Sequence, residues 1–209
     1  MKYSIFIWIP KNAGSSIAND VLVKQLGFEK RKYPGEYDTF GHNNNVTFTH
    51  VSIKHLLAAG YLNQDFYDNS FKFCFCRDPY DRLVSAWKYH RDVEKKITYS
   101  FEDYVNHISE RIDTSEGLPH IGLHNQPGLI HANRQTDWIS EGVDFIGRFE
   151  NLQNDFNKIC DIIGAPSIQL RKTNPTQHKL YHNYYTRELY DIVNDVYDAD
   201  FTRFKYDKK

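Results

Sequence analysis

The chain is short of several things, and each shortage excludes a class of protein. It has only three cysteines, too few for the disulfide framework of a small secreted domain. Cys74 and Cys76 alternate with phenylalanine in FKFCFC and Cys160 falls in a helical run, so they read as buried small hydrophobes in a reducing compartment. Neither charge sign is in excess: 26 Lys and Arg face 27 Asp and Glu. With no basic surplus to hold a nucleic-acid backbone, any anion site must be local. The apolar run of the first residues, MKYSIFIWIPK, is too short for a signal peptide or a membrane span, and nothing later approaches one. No HExxH or Cys/His zinc spacing is present, so no metal is expected. Repeats, low-complexity tracts and linkers are absent too. The expectation is one domain over 1–209, in the cytoplasm, with no nucleic-acid partner.

What the chain does have is aromatic bulk, 15 Tyr and 14 Phe, and a length of 209 residues, large enough to bury about 70% of the unfolded surface. Its pattern alternates between strand and helix. YSIFIWI (3–9) reads as a buried strand, and Ile17, Ala18, Val21, Leu22 and Leu26 then recur at helical spacing and stop at Gly27. VTFTHV (46–51), FKFCFC (71–76) and VDFIGRF (143–149) read as further strands. Helices are expected around IKHLLAAG, after Arg77 with Asp78 as cap and Pro79 first, over 101–112, over 152–163 ending at Gly164, and after Thr186. Residues 29–45, 113–134 and 165–184 read as loops. Strands alternating with helices predict a parallel sheet covered on both faces, with ligands beyond the carboxyl ends of the strands. Lys11, His50 and Arg77 all fall at such ends.

The stretch IWIPKNAGSSI (7–17) runs from strand through a small-residue turn into a helix. That is the layout of a phosphate-binding loop, but the lysine precedes the glycine and the Walker spacing is missing. Gly14 is expected to permit a tight turn. Backbone N–H groups from Asn12 through Ala13 and Gly14 to Ser16 can then face an anion, with Ser15 and Ser16 adding hydroxyls and Lys11 a full charge. An ordinary strand-to-helix turn with a solvated lysine is the bland alternative. In the second constellation, Arg77 ends a strand and Ser85 stands two turns into the next helix, placed to converge on a second phosphate. The competing readings are ion pairs: Arg77 with Asp78 or Asp81, and Arg82 with Asp78 on a helix surface.

PKNAGSS followed by RDPYDRLVSAW resembles the two nucleotide motifs of sulfotransferases that use 3′-phosphoadenosine 5′-phosphosulfate. The second stretch matches that family's RDPxxRxxS pattern at every fixed position. VDFIGRFENLQNDF and the aromatic ending YYTRELYDIV…YDADFTRFKY are similar to the carbohydrate sulfotransferase branch. The resemblance implies a P-loop-NTPase-like α/β fold and transfer of a sulfuryl group, without metal, to a hydroxyl of a carbohydrate-type acceptor. It also implies that the loop from Lys11 to Ser16 meets the 5′-phosphosulfate, while Arg77 and Ser85 meet the 3′-phosphate; adenosine 3′,5′-bisphosphate is the product.

FTHVS resembles the HVS stretch in which hexuronic-acid 2-O-sulfotransferases carry a catalytic histidine, which makes His50 the candidate base. Those enzymes have a second histidine two positions earlier, where this chain has Phe48. A strand-end histidine bonded to backbone is the plain alternative. RKTNPTQH (171–178) resembles the family's loop that closes over the nucleotide, which adds Arg171 and Lys172 as binding candidates and predicts a lid. His124, Gln126 and Gln135 are candidate saccharide contacts, and His120 and His131 fall in the same histidine-bearing stretch. Two other functions stay open: a P-loop kinase of small molecules, lacking its Walker lysine and Mg²⁺ carboxylate, and a non-catalytic nucleotide binder of the same fold.

Overall fold

A computed structural model of the chain describes residues 3–32, 36–112, 130–171 and 180–209. They fall into two compact units, Met1–Cys76 with Trp138–Asn174, and Arg77–Asp137 with Pro175–Lys209.

The first unit is built on five strands: β1 (Ser4–Trp8), β2 (Glu29–Arg31), β3 (Val46–Thr49), β4 (Phe71–Cys76) and β5 (Phe145–Arg148). Their order is β2-β3-β1-β4-β5 and every pairing is parallel. The expected α/β class with a parallel sheet flanked by helices is what the chain adopts. β1, in the middle, is buried along its whole length, as a strand covered on both faces must be. Phe6, Trp8, Phe73 and Phe75 pack with Ile17, Ala18, Val21 and Leu22 of a π-type helix, Ser15–Val23. Phe156, Ile159 and Cys160 of the later helix α5 (Leu152–Ile163) join that core. Two short helices, α1 (Ile53–Ala58) and α2 (Gln64–Asn69), begin at the side-chain caps Ser52 and Asn63. The left-handed Gly164, at φ +70°, ends α5 where the glycine signal placed the stop.

Two differences from the sequence reading stand out here. β2 lies in the segment read as loop. It has three charged, half-buried residues at the sheet's edge, so it lacks the apolar alternation that marks a strand, and charge on an edge strand discourages wrong pairing. α2 was not foreseen either; its signal is the Asn63 cap rather than an apolar stripe.

The second unit is helical: α3 (Pro79–Lys88), continued by a π-type turn over Tyr89–Val93, then α4 (Phe101–Arg111), α6 (Arg187–Val196) and α7 (Asp198–Phe204). Much of the aromatic bulk sits here. Tyr80 is fully buried and makes ring contacts with Tyr181, Tyr185, Tyr190 and Phe201. Thr186 caps α6 through the Leu189 N–H, as its position predicts.

Candidate active site

The junction from β1 into its helix is held in an uncommon backbone conformation. Lys11 stands at φ +70° and Ala13 at φ +61°, in the left-handed region that costs an L-residue about 1–2 kcal/mol. Gly14, by contrast, is right-handed at φ −55°. The expectation that Gly14 supplies the tight turn is therefore corrected: Lys11 and Ala13 make it. Glycine is required at 14 for space, since a Cβ there would lie 1.8 Å from Trp8 Nε1. Alternation of φ sign from Ala13 to Gly14 turns successive N–H groups to one side, the geometry of an anion nest. Asn12 fastens the turn to β4, its Nδ2 donating to the Phe75 carbonyl at 2.6 Å. The helix that follows has no side-chain cap and no acidic residue in its first turn, which keeps its positive end suited to an anion.

His50 follows β3 directly, and β3 pairs with β1 so that Thr49 lies opposite Trp8. His50 is left-handed as well, at φ +52°. Tyr37 Oη donates to the Thr49 carbonyl at 3.1 Å, and Ser52 caps α1 just beyond, so the residue is fixed on both sides. Its imidazole meets the edge of Trp8 at 5.0 Å and of Trp138 at 6.5 Å between centroids. Trp8 therefore touches three parts of this edge: it abuts Gly14, it contacts His50, and Lys30 Nζ sits 5.1 Å over its ring. Lys30 also donates to Asn19 Oδ1 at 2.6 Å, and burial lowers its pKa. Sequence reasoning took Trp8 for plain core and passed over Lys30. A tryptophan closing the strand just before the Pro-Lys turn was the available signal.

The other candidates lie in the second unit. Arg77 is buried, and its Nε and Nη2 both donate to Asp81 Oδ2, at 2.9 and 2.7 Å. Asp81 and Ser85, four apart, share one face of α3, and Arg77 stands just before the helix's Asp78 cap; Ser85 is buried too. The ion pair raised as the alternative for Arg77 is thus present, with Asp81. The Arg77 backbone is clamped by Gln135, whose Oε1 accepts from Arg77 N–H at 3.0 Å while its Nε2 donates to the Arg77 carbonyl at 2.9 Å. Asp200 holds that clamp by accepting from the backbone N–H groups of Gln135 and Thr136 at 2.8 and 2.9 Å. Gln135, expected as a saccharide contact, is fully buried, so its role is to position Arg77. Arg82 departs from expectation as well: it is buried and donates to the carbonyls of His131 and Asn133, not to Asp78. Close by in this network, burial and the neighbouring Asp200 push the Asp137 carboxyl up to about 6.

Lys11, Asn12, Ala13, Gly14, Ser15, Ser16 and His50 thus belong to the first unit, and Arg77 and Ser85 to the second. Arg171 is exposed. Lys172 and the rest of the stretch to 178, with His120, His124 and Gln126, lie outside the described residues. Among the described residues no group of three His, Cys, Asp or Glu could hold a metal ion. No described helix is long and apolar enough to cross a membrane.

Comparison with known proteins gives this geometry a context. The profile described as "Sulfotransferase family" matches residues 3–207. An uncharacterized protein of Archaeoglobus fulgidus is 31% identical over 102 residues, covering 48% of this chain and 72% of its own length. Carbohydrate sulfotransferase 8 of Mus musculus is 23% identical over 240 residues. That match covers 98% of this chain, which spans only about half (54%) of the mouse protein. Among solved structures, the mouse sulfotransferase SULT7A1 complexed with PAP aligns with a TM-score of 0.59 at 13% identity, over 99% of this chain and 90% of that one. At that identity the likeness shows a shared fold.

Proposed function

The chain belongs to the sulfotransferase family, and on that premise we propose that it transfers a sulfuryl group from 3′-phosphoadenosine 5′-phosphosulfate to a hydroxyl of a carbohydrate-type acceptor, leaving adenosine 3′,5′-bisphosphate. The whole chain acts as one sulfotransferase domain in this reading. The carrying observation is that Lys11 and His50, at the carboxyl ends of two paired parallel strands, both occupy left-handed backbone. Strain of that kind persists where the surroundings over-determine it, and it clusters at functional sites. The mouse relative, a carbohydrate sulfotransferase by name, and the PAP bound in the solved neighbour support the choice of acceptor and nucleotide.

In the reaction the acceptor oxygen forms a bond to sulfur as the bond from sulfur to the bridging phosphate oxygen breaks. The electron pair stays on the 5′-phosphate. A neutral His50 ring nitrogen takes the hydroxyl proton and passes it to solvent. Lys11 neutralises charge growing on the departing phosphate, backed by the N–H groups from Asn12 to Ser16 at the uncapped helix start. Arg77 and Ser85 take the 3′-phosphate, with Asp81 giving up part of its hold on the guanidinium. Arg171 and Lys172 add charge from the stretch proposed to close over the nucleotide. No divalent ion enters.

The test is transfer of labelled sulfate from the phosphosulfate donor to a panel of oligosaccharides, with and without a chelator. Labelled product that persists with the chelator is expected. Product that needs Mg²⁺ and forms from ATP would favour the kinase reading. Tight bisphosphate binding without transfer to any acceptor would favour the inert binder.

A further inference from the structure

At the opposite edge of the first unit's sheet is a concavity with a different chemistry. Tyr3 immediately precedes β1 and Ser70 immediately precedes β4. Both strands are parallel, so these residues mark the amino edge, about 16 Å of β1 away from the Lys11 turn. The cavity measures about 430 Å³ and is lined by Tyr3, His42, Asn63, Asp65, Phe66, Asn69 and Ser70. That is a ligand-sized volume.

The lining has an aromatic floor and a polar rim. Tyr3 stacks on Phe66 at 5.6 Å, and His42 meets Phe66 edge-on at 5.3 Å. Packing covers one face of the Tyr3 ring, yet the residue stays 41% exposed. His42 holds a left-handed φ of +55° and its Nε2 accepts the Asn63 N–H at 2.9 Å. Burial lowers the His42 pKa, and a neutral imidazole that accepts at Nε2 carries its proton on Nδ1 as a donor. Asn63, Asp65 and Asn69 are exposed, and Asn69 Nδ2 holds the Asp65 carbonyl at 2.9 Å and its carboxylate at 3.2 Å. Among the described residues, no lysine or arginine lines the cavity.

We propose that this cavity is a second saccharide site, which takes a neutral oligosaccharide against the open face of Tyr3. A pyranose offers an apolar C–H face to an aromatic ring and a rim of hydroxyls to planar amide and carboxylate groups. Tyr3 and Phe66 supply the first, and Asn63, Asp65 and Asn69 the second. The exposed carboxylate of Asp65 in the lining repels a sulfated or uronic sugar by like charge. The inference does not depend on the sulfuryl-transfer reading, because none of these residues takes part in it.

The experiment is a calorimetric titration of the full chain with chitotetraose and cellotetraose, beside a heparin-derived tetrasaccharide and adenosine. A neutral tetrasaccharide should bind with a millimolar constant, and the heparin tetrasaccharide should not compete for this cavity. Tyr3→Ala should weaken the neutral sugar at least about tenfold and Tyr3→Trp should restore it, as expected for an aromatic platform. Lys11→Ala should leave this binding unchanged, and Tyr3→Ala should leave bisphosphate binding unchanged. The proposal is overturned if wild-type protein ignores both neutral sugars at about 10 mM, some tenfold above the expected constant. It is equally overturned if adenosine alone binds there, if Tyr3→Ala has no effect, or if Lys11→Ala removes the sugar binding.

Discussion

The turn between β1 and its helix leaves the helix start without a side-chain cap and its first turn without an acidic residue, and places Lys11 and Ala13 in left-handed backbone. The turn between β4 and α3 is built the other way. Asp78 caps the helix by accepting from Tyr80 N–H at 2.8 Å, Pro79 takes the first position, and Asp81 holds the Arg77 fork. Both junctions link a parallel strand to a helix, and both carry candidate phosphate ligands. The first carries its cost in backbone strain; at the second, Arg77 is already ion-paired with Asp81. Under the proposed function, loop geometry would make the first an anion site, whereas exchange of a carboxylate for a phosphate would make the second one.

Predictions follow from breaking each side in turn. The largest effect is expected at the strand end beside the first junction, where His50→Ala should lower kcat by about 10² to 10⁴, the usual contribution of a general base. Steady-state transfer assays read this, and a rate that survives would give the base role to another residue. At the second junction, Arg77→Ala should weaken adenosine 3′,5′-bisphosphate by about 1.5–3 kcal/mol, the scale of a charge-assisted hydrogen bond. Asp81→Asn should act in the opposite sense and tighten the bisphosphate at low salt, the gain shrinking as salt screens it. If Asp81→Asn weakens binding, the carboxylate positions the arginine and does not compete with the phosphate.

Gly14→Ala should destabilise the protein by about 1–3 kcal/mol, because the added methyl is driven into the Trp8 indole. Gly14→Ala with an unchanged melting temperature would restore the view that this glycine serves only the turn. The last effect concerns pH. Asp137 has a folded pKa of about 6, above the ordinary 3.8, so the native state holds its proton more tightly than the unfolded chain does. That contribution to stability is full below about pH 4 and is lost as pH rises through 6. Asp137→Asn should therefore match wild type below about pH 4 and exceed it by up to about 3 kcal/mol above pH 7. Denaturation across that pH range checks it, and a constant difference would assign the effect to packing.

Much of this was legible in the sequence, for physical reasons that vary by residue. Long apolar runs such as FKFCFC mark buried strands wherever they occur, and caps such as Asp78-Pro79, Thr186 and Gly164 act locally, so each was placed correctly. β2 was invisible because an edge strand of Glu, Lys and Arg has neither apolar alternation nor length. The residues around the candidate site were read less well, since their roles depend on partners remote in sequence. Gly14 answers to the indole of Trp8, Gln135 to the backbone of Arg77 58 residues earlier, and Arg82 to carbonyls 49 and 51 residues later. No local spacing encodes such pairs. Lys11 and His50 could be picked out at strand ends, but their left-handed backbone could not.

The claim that Lys11 binds the nucleotide while His50 acts on the acceptor is tested most directly by calorimetric titration of adenosine 3′,5′-bisphosphate into wild type, Lys11→Ala and His50→Ala without metal. Lys11→Ala should weaken binding at least about tenfold, while His50→Ala stays within about twofold of wild type. Equal losses in the two variants, or a loss confined to His50→Ala, would contradict that division.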